Sequence, residues 1–364
     1  MSRSGRAWSL IVLTGLLGVL AAIVPLEFLG RSIRLGVSGE PGPVSQCDAG
    51  RSVSATPDMV WVPGGAFEMG DPLDPAEAPG RAVETAGFWM DRTEVTNAQF
   101  ARFVQATGYV TEAERARKDQ ASRAGVVSVF RQPESVLGRE DTSQWWAISR
   151  EATWRQPSGR GSSVEGREAF PVVAVTFADA SAYAQWLGRS LPSEIQWERA
   201  ARLGSTAGNL GSESVNGAGG KAAANTWQGL FPVLDAATDG HAGLAPVGCY
   251  SPNEIGVHDL IGNVWELTQD AYRGSGQLGA MIASTTSPGA MSRSGEGERK
   301  VGAHVIKGGS YLCSEDFCAR ARAGSRQPLE DGMAAVHVGF RTVSVAPGPR
   351  SELGTGKSLV AVDQ

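Results

Sequence analysis

Lys307-Gly-Gly-Ser310-Tyr-Leu-Cys313-Ser-Glu-Asp-Phe-Cys318-Ala-Arg320-Ala-Arg322 holds two of the four cysteines of a 364-residue chain. A Gly-Gly pair precedes them and marks a tight turn. The spacing speaks against a helix, because positions five apart on one diverge by roughly 140°, whereas a loop can bring both sulfurs together. A thiolate is both a nucleophile and a soft ligand, so a close pair points to redox chemistry, a soft metal or a disulfide. On spacing alone all three readings stand open. With 47 glycines, 10 tryptophans and only short helix-favouring runs, the chain reads as an irregular, loop-dominated fold and not a bundle.

The formal charge is −5, and lysines and arginines are scattered. That excludes an electrostatic case for a nucleic-acid partner. Residues Ala7 to Leu26 form a nearly unbroken apolar run of the length a bilayer requires. Arg3 and Arg6 precede it, and Arg31 and Arg34 follow. The run reads as an uncleaved membrane anchor in preference to a cleaved signal, which would show a shorter apolar core and a small-residue cleavage site; Ala21-Ala22 is the candidate if it is cleaved. Either version carries the rest of the chain across a membrane, into a periplasmic, extracellular or secretory space where cysteines meet oxidising conditions. The expected organisation is a membrane segment over 1–30, a Gly/Ser/Pro-rich linker over 31–56, one catalytic domain over 57–345 and a flexible tail over 346–364. Cys47 falls in the linker, and Cys249 is its partner or stands alone.

From Met59 the pattern becomes globular. Met59-Val-Trp-Val-Pro-Gly-Gly-Ala-Phe-Glu-Met69 predicts strand, turn and strand, and Gly87 to Val95 a further short strand. Thr96-Asn-Ala-Gln99, Thr176-Phe-Ala-Asp179 and Ser193-Glu-Ile-Gln196 each have the form of a helix start closed by a capping box. Gly108 and Gly188 end the first two helices. Residues 115–169 are polar and broken, with Trp145, Trp146 and Trp154 as landmarks: either cleft-lining aromatics or buried anchors of a long loop. Phe170 to Thr176 reads as an apolar strand, and 203–224 as a low-complexity loop.

Two stretches are rich in oxygen donors: Asn225-Thr226 with Asp239-Gly-His241, and Asp259-Leu-Ile-Gly262-Asn-Val264-Trp265-Glu266. Hard cations such as calcium take carboxylates together with carbonyls turned inward by glycine-containing loops. Turn-forming Asp and Asn account for the same spacing. The four histidines form no clustered metal signature.

Taken in order, Val62-Pro-Gly-Gly-Ala-Phe-Glu-Met-Gly70, Asp91-Arg-Thr-Glu-Val-Thr-Asn97, Pro171-Val-Val-Ala-Val-Thr176, Leu191-Pro-Ser-Glu-Ile-Gln-Trp-Glu198, Gly262-Asn-Val-Trp-Glu266, Lys307-Gly-Gly-Ser310 and Gly339-Phe-Arg341 resemble the formylglycine-generating enzymes, or sulfatase-modifying factors. The resemblance runs from about Met59 to Val343. It implies an α+β fold with little regular secondary structure, a single compact C-type-lectin-like domain, here behind the N-terminal membrane segment and taken as monomeric. It further implies an oxidase that uses molecular oxygen to convert a cysteine, within a Cys-x-Pro-x-Arg motif of an unfolded sulfatase, to Cα-formylglycine.

By the same resemblance Cys313 and Cys318 would hold copper(I), a metal that prefers soft thiolates. Ser310 would line that catalytic site, and Trp265, Arg326 and His337 would flank the substrate peptide. Two structural calcium ions are implied. One would take Asn225, Thr226, Asp239 and His241, and the other Asp259, Gly262, Val264 and Glu266, with Thr226, His241, Gly262 and Val264 acting through their main chains. The family also contains inactive members, so the alternative is a binding scaffold with Cys313–Cys318 as a structural disulfide. Three departures stand out: Ala184, Ala201 and Ala323 replace cysteines of vertebrate relatives, the 203–224 loop lacks a turn common in the family, and His337 stands where relatives often have asparagine.

Overall fold

Four Thr- or Ser-led capping boxes decide where the helices begin. Thr96 Oγ1 accepts the Gln99 N–H, and the Gln99 side chain accepts the Thr96 N–H, opening α1 (Asn97–Thr107). The same reciprocal pair opens α2 (Glu112–Lys118) from Thr111 and Glu114, α3 (Phe177–Trp186) from Thr176 and Asp179, and α4 (Glu194–Arg202) from Ser193 and Gln196. Each box satisfies two otherwise orphaned amides, worth about 1 kcal/mol. Gly108, at φ 68°, closes α1 in the left-handed region that favours glycine. The computed structural model describes residues 54, 57–74, 77, 80–119, 121–122, 124–203, 222–273, 302–314, 317 and 319–348, all within one compact unit, Pro43–Gln364.

The strands are short. They are β1 (Met59–Val62), β2 (Gly65–Met69), β3 (Arg81–Thr85), β4 (Phe88–Asp91), β5 (Val126–Phe130), β6 (Trp146–Ser149), β7 (Trp265–Ala271), β8 (Ala303–Lys307), β9 (Arg326–Glu330), β10 (Met333–Ala335), β11 (Val338–Gly339) and β12 (Val343–Ser344). Among the described residues they form four small sheets, ordered β1-β4-β12, β10-β5-β6, β11-β7-β8-β9 and the hairpin β2-β3. The third sheet matters most for function. Its register sets Glu266 beside Lys307 and Lys307 beside Arg326, and the parallel β11 sets Val338 beside Trp265.

The main core joins α1, α3 and this sheet through Phe100, Phe103, Tyr183, Trp154, Trp265, Phe340 and Cys313, all buried. Trp154 meets Phe100 edge-on at 5.2 Å, and Phe340 meets Tyr183 at 5.4 Å, the offset geometry that aromatic quadrupoles favour. Trp145 and Trp154 are therefore anchors inside the core and not cleft walls.

Two expectations fail. Phe170 to Thr176, buried from Pro171 onward, forms no strand. Its amides find separate partners, Val172 N–H to Val95 O and Ala174 N–H to Ala335 O, and Ala174 turns to φ 58°, which breaks any continuous ladder. Conversely, 115–169 is more regular than its polarity suggests, since it completes α2 and carries the β5–β6 pair.

Among the described residues no helix is long and apolar enough to cross a membrane. The 1–30 segment, Cys47, most of the 31–56 linker, 204–221, Cys318 and most of the C-terminal tail lie outside the described residues. Cys249 is disulfide-bonded. Ala184, Ala201 and Ala323 are buried, so packing occupies those positions.

Candidate active site and cation sites

The cysteine loop leaves β8 through Gly308 (φ 95°) and Gly309 (φ 79°). A Cβ on Gly308 would strike Leu260 O and the Trp197 ring, and one on Gly309 would meet the Arg320–Ala321 backbone. Only glycine lets the loop start so close to its own returning limb. Ser310 is fully buried. Its N–H points at Cys313 Sγ at 3.4 Å, and its hydroxyl oxygen accepts the Leu312 N–H at 3.2 Å. The Cys313 carbonyl accepts the Trp227 N–H at 2.9 Å, fixing the residue from the other side. Leu312 joins Trp145, Trp227 and Phe231 in an aromatic cluster, and Phe317 stacks on Phe231 at 4.7 Å.

Trp265 is buried in the same core cluster as Cys313, and its N–H donates to His337 O at 2.9 Å. The His337 ring lies 4.9 Å from Trp146, and its Nδ1 is buried with no protein partner. Burial pushes this imidazole down to about 4, so it is neutral at physiological pH. Ser310, Cys313, Trp265 and His337 are thus linked through the core cluster and a main-chain bond. Arg326 is placed differently. Its guanidinium grips Glu194 through two bonds of 2.7 and 3.0 Å and lies 4.8 Å over the Tyr272 ring. It is engaged in a structural pair in this state.

The first oxygen-rich stretch folds around the Asp239 carboxylate. Asp239 Oδ2 accepts the Thr226 N–H at 3.0 Å, and Oδ1 accepts the His241 N–H at 3.1 Å. Asn225 donates from Nδ2 to Gly243 O and to Asn263 Oδ1, both at 2.9 Å, which leaves its buried Oδ1 without a partner. Burial raises the Asp239 carboxyl to about 6, with Asp235 adding to the rise. An orphaned amide oxygen beside a destabilised carboxylate fits a hard cation.

The second stretch is joined by a residue, Glu94, that sequence reasoning missed. Asp259, at φ 57°, accepts the Gly248 N–H, and the like-charged Glu94 is its buried neighbour. Glu94 accepts from Asn263 Nδ2 at 2.9 Å through Oε1, while Oε2 is buried and unpartnered. Burial first, then the charge of Asp259, drives the Glu94 carboxyl well above its ordinary range. Asn263 joins the two sites, since its Oδ1 also accepts from Asn225. Gly262, at φ 80°, packs against the Asn225 backbone with no room for a Cβ.

Glu266, expected at this second site, has both oxygens taken within the protein. Arg341 donates at 2.7 and 2.6 Å, and Trp197 Nε1 at 2.8 Å. Among the described residues no three His, Cys, Asp or Glu side chains converge on one point, so any cation here would take at most two carboxylates and rely on amide and main-chain oxygens for the rest. Glu94 stood inside Asp91-Arg-Thr-Glu-Val-Thr-Asn97 and Arg341 inside Gly339-Phe-Arg341. Both stretches had marked the resemblance, but spacing gave neither residue a partner.

Residues 46–346 match the family model described as Sulfatase-modifying factor enzyme 1-like domain. The formylglycine-generating enzyme of Mycobacterium tuberculosis is 38% identical over 295 residues, covering 79% of this chain and 97% of that one. The formylglycine-generating enzyme of Streptomyces coelicolor is 37% identical over 316 residues, covering 85% and 94%. A mouse relative named inactive C-alpha-formylglycine-generating enzyme 2 is 35% identical over 309 residues, covering 82% and 89%. With this coverage and a compact α+β domain of low helical content, the chain belongs to the sulfatase-modifying-factor family.

Proposed function

We propose that this chain oxidises a cysteine of an unfolded sulfatase, within a Cys-x-Pro-x-Arg segment, to Cα-formylglycine with molecular oxygen as acceptor. The observation that carries the reading is the buried Cys313 thiol, aimed at by the Ser310 amide, on a loop that a Gly-Gly turn and Trp227 hold in place. Relatives sharing more than a third of their residues are named for this product. In net terms the Cβ–S unit loses two hydrogens to dioxygen, and water then replaces sulfur, which leaves as hydrogen sulfide.

Copper(I), held by the Cys313 and Cys318 thiolates, would supply the soft, oxygen-reactive centre. Cys313 fits that role: its buried sulfur, at which the Ser310 amide points, is a suitable soft ligand. Trp265 gives the site an apolar wall, and the neutral His337 offers client peptides a polar group without charge. Asn225 Oδ1, Asp239 and the Thr226 and His241 carbonyls would hold one calcium ion. Glu94 and Asp259, with the Gly262 and Val264 carbonyls, would hold a second that relieves their mutual repulsion. Glu266 sits beside that second site as the partner of Arg341.

The Cys249 disulfide and the Ala7–Leu26 run support an extracytoplasmic domain tethered by its N terminus. The test is incubation of the purified chain with copper(I) and a Cys-x-Pro-x-Arg peptide under air. We expect a mass loss of about 18 Da and capture of the product by an aldehyde reagent. A peptide that stays a thiol would leave the inactive-scaffold reading.

A further inference from the structure

Asn263 touches both oxygen-rich stretches and supplies a side-chain ligand to neither of the ions placed there. It is 1% exposed and sits at φ 53°, in the left-handed region that Asn enters more readily than most residues. Its Oδ1 accepts the Ala245 N–H at 3.0 Å and Asn225 Nδ2 at 2.9 Å. Its Nδ2 donates to Glu94 Oε1 at 2.9 Å and, more weakly, to Ala245 O at 3.4 Å. The main chain adds two ties: Asn263 N–H donates to Asn225 O at 2.8 Å, and Asn263 O accepts the Tyr311 N–H at 3.0 Å.

These bonds decide which atom faces which way. A main-chain N–H only donates and a main-chain carbonyl only accepts, so Ala245 meets the Asn263 amide with one of each and resists its flipping. Asn263 Oδ1 then calls for a donor from Asn225, and so does Gly243 O at 2.9 Å. Asn225 answers both with Nδ2, and its buried Oδ1 is left over. At the other end Asn263 Nδ2 engages Glu94 Oε1, and the buried Oε2 is left over. One amide sorts the oxygens on both sides, and the two it leaves unpaired belong to different cation sites.

We propose that Asn263 is a positioning residue shared by the two cation sites: without ligating either ion, its side chain reserves Asn225 Oδ1 for one and Glu94 Oε2 for the other. The inference rests on the cation reading under the proposed function and on no property of the cysteines. Groups that orient a ligand without touching the metal account for about 10- to 100-fold of its affinity. Ordinary packing residues have no reason to govern two sites at once.

The test is calcium titration calorimetry on the full chain after treatment with chelator. Asp239→Asn and Glu94→Gln each weaken one site and so identify the two binding constants. Asn263→Gly, which suits φ 53° and removes the amide, is expected to weaken both by at least about tenfold. Asn263→Ser serves the same comparison if the glycine variant does not fold. Val338→Ala, fully buried beside Trp265, controls for loosened packing: it should lower the melting temperature and leave both constants within about twofold of the parent. Weakening at one site only, at neither, or equally in Val338→Ala would overturn the proposal. A parent that takes up no calcium would sink the cation reading together with it. A parent that takes up two ions, with the Asn263 variants unchanged, would sink the proposal alone.

Discussion

Glu266 and Arg341 are both fully buried and face each other through two hydrogen bonds, Arg341 Nε to Oε2 at 2.7 Å and Nη2 to Oε1 at 2.6 Å. Arg341 also reaches the Asp91 and His258 carbonyls, so one side chain pins three segments of the domain. Removing one member of such a pair leaves an uncompensated charge in the core. We predict that Arg341→Met lowers unfolding free energy by about 3–5 kcal/mol in urea titrations. Glu266→Gln should be destabilised in chelator and in calcium alike. A Glu266→Gln deficit that disappeared in chelator would assign that carboxylate to the cation instead.

The cation sites should respond to pH with a definite sign. The folded Asp239 carboxyl titrates near 6, above its ordinary 3.8, and Glu94 is also raised. Between those values the folded, metal-free chain binds more protons than the unfolded one, so its stability falls as pH rises. Calcium bound at the proposed sites would compete with the protons and reverse that loss. The rise in melting temperature on adding calcium should therefore be larger at about pH 7.5 than at about pH 5. Asn225→Leu and Glu94→Gln should each shrink it. An increment independent of pH in the parent would remove these carboxylates from the cation sites.

His337 works in the opposite direction. Its folded value, about 4, lies below the ordinary 6.5. As pH falls from 6.5 towards 4 the unfolded chain takes the proton first, so stability drops with acidification. His337→Asn cannot be protonated and should flatten that slope, by on the order of 2 kcal/mol across the window. Urea midpoints at several pH values read this directly, and parallel curves for the two proteins would count against a buried neutral imidazole.

The core makes a simpler claim at Trp154, which is 1% exposed and packed edge-on against Phe100. Trp154→Ala should cost about 3–5 kcal/mol. Trp186, 38% exposed, is at the rim of the same cluster, and Trp186→Ala should cost about 1 kcal/mol or less. Equal losses would mean that the 145–155 region does not anchor the core.

These features were legible in the sequence to different degrees, for physical reasons. Three helix starts could be read because a capping box is local: donor and acceptor stand three residues apart. The fourth, Thr111 to Glu114, has the same form but lies in a polar stretch with no apolar periodicity behind it. Phe170 to Thr176 looked like a strand because apolar runs do not reveal where their amides will bond. The Gly-Gly turn and Cys313 were visible as residue types. Glu94 was not, since its partners Asp259 and Asn263 are more than 160 residues away and only the fold brings them together. Glu266 and Arg341 were each quoted in a motif, but their pairing across 75 residues was not visible there.

Single-cysteine variants test the central claim most directly. The parent chain, Cys313→Ser and Cys318→Ser would each be loaded with one equivalent of copper(I), given a Cys-x-Pro-x-Arg peptide and air, and scored for aldehyde by mass spectrometry. We predict conversion by the parent and loss of at least about a thousandfold in each variant, with both variants still folded and still stabilised by calcium. Full turnover by either serine variant would contradict the assignment of the two sulfurs as the reacting centre.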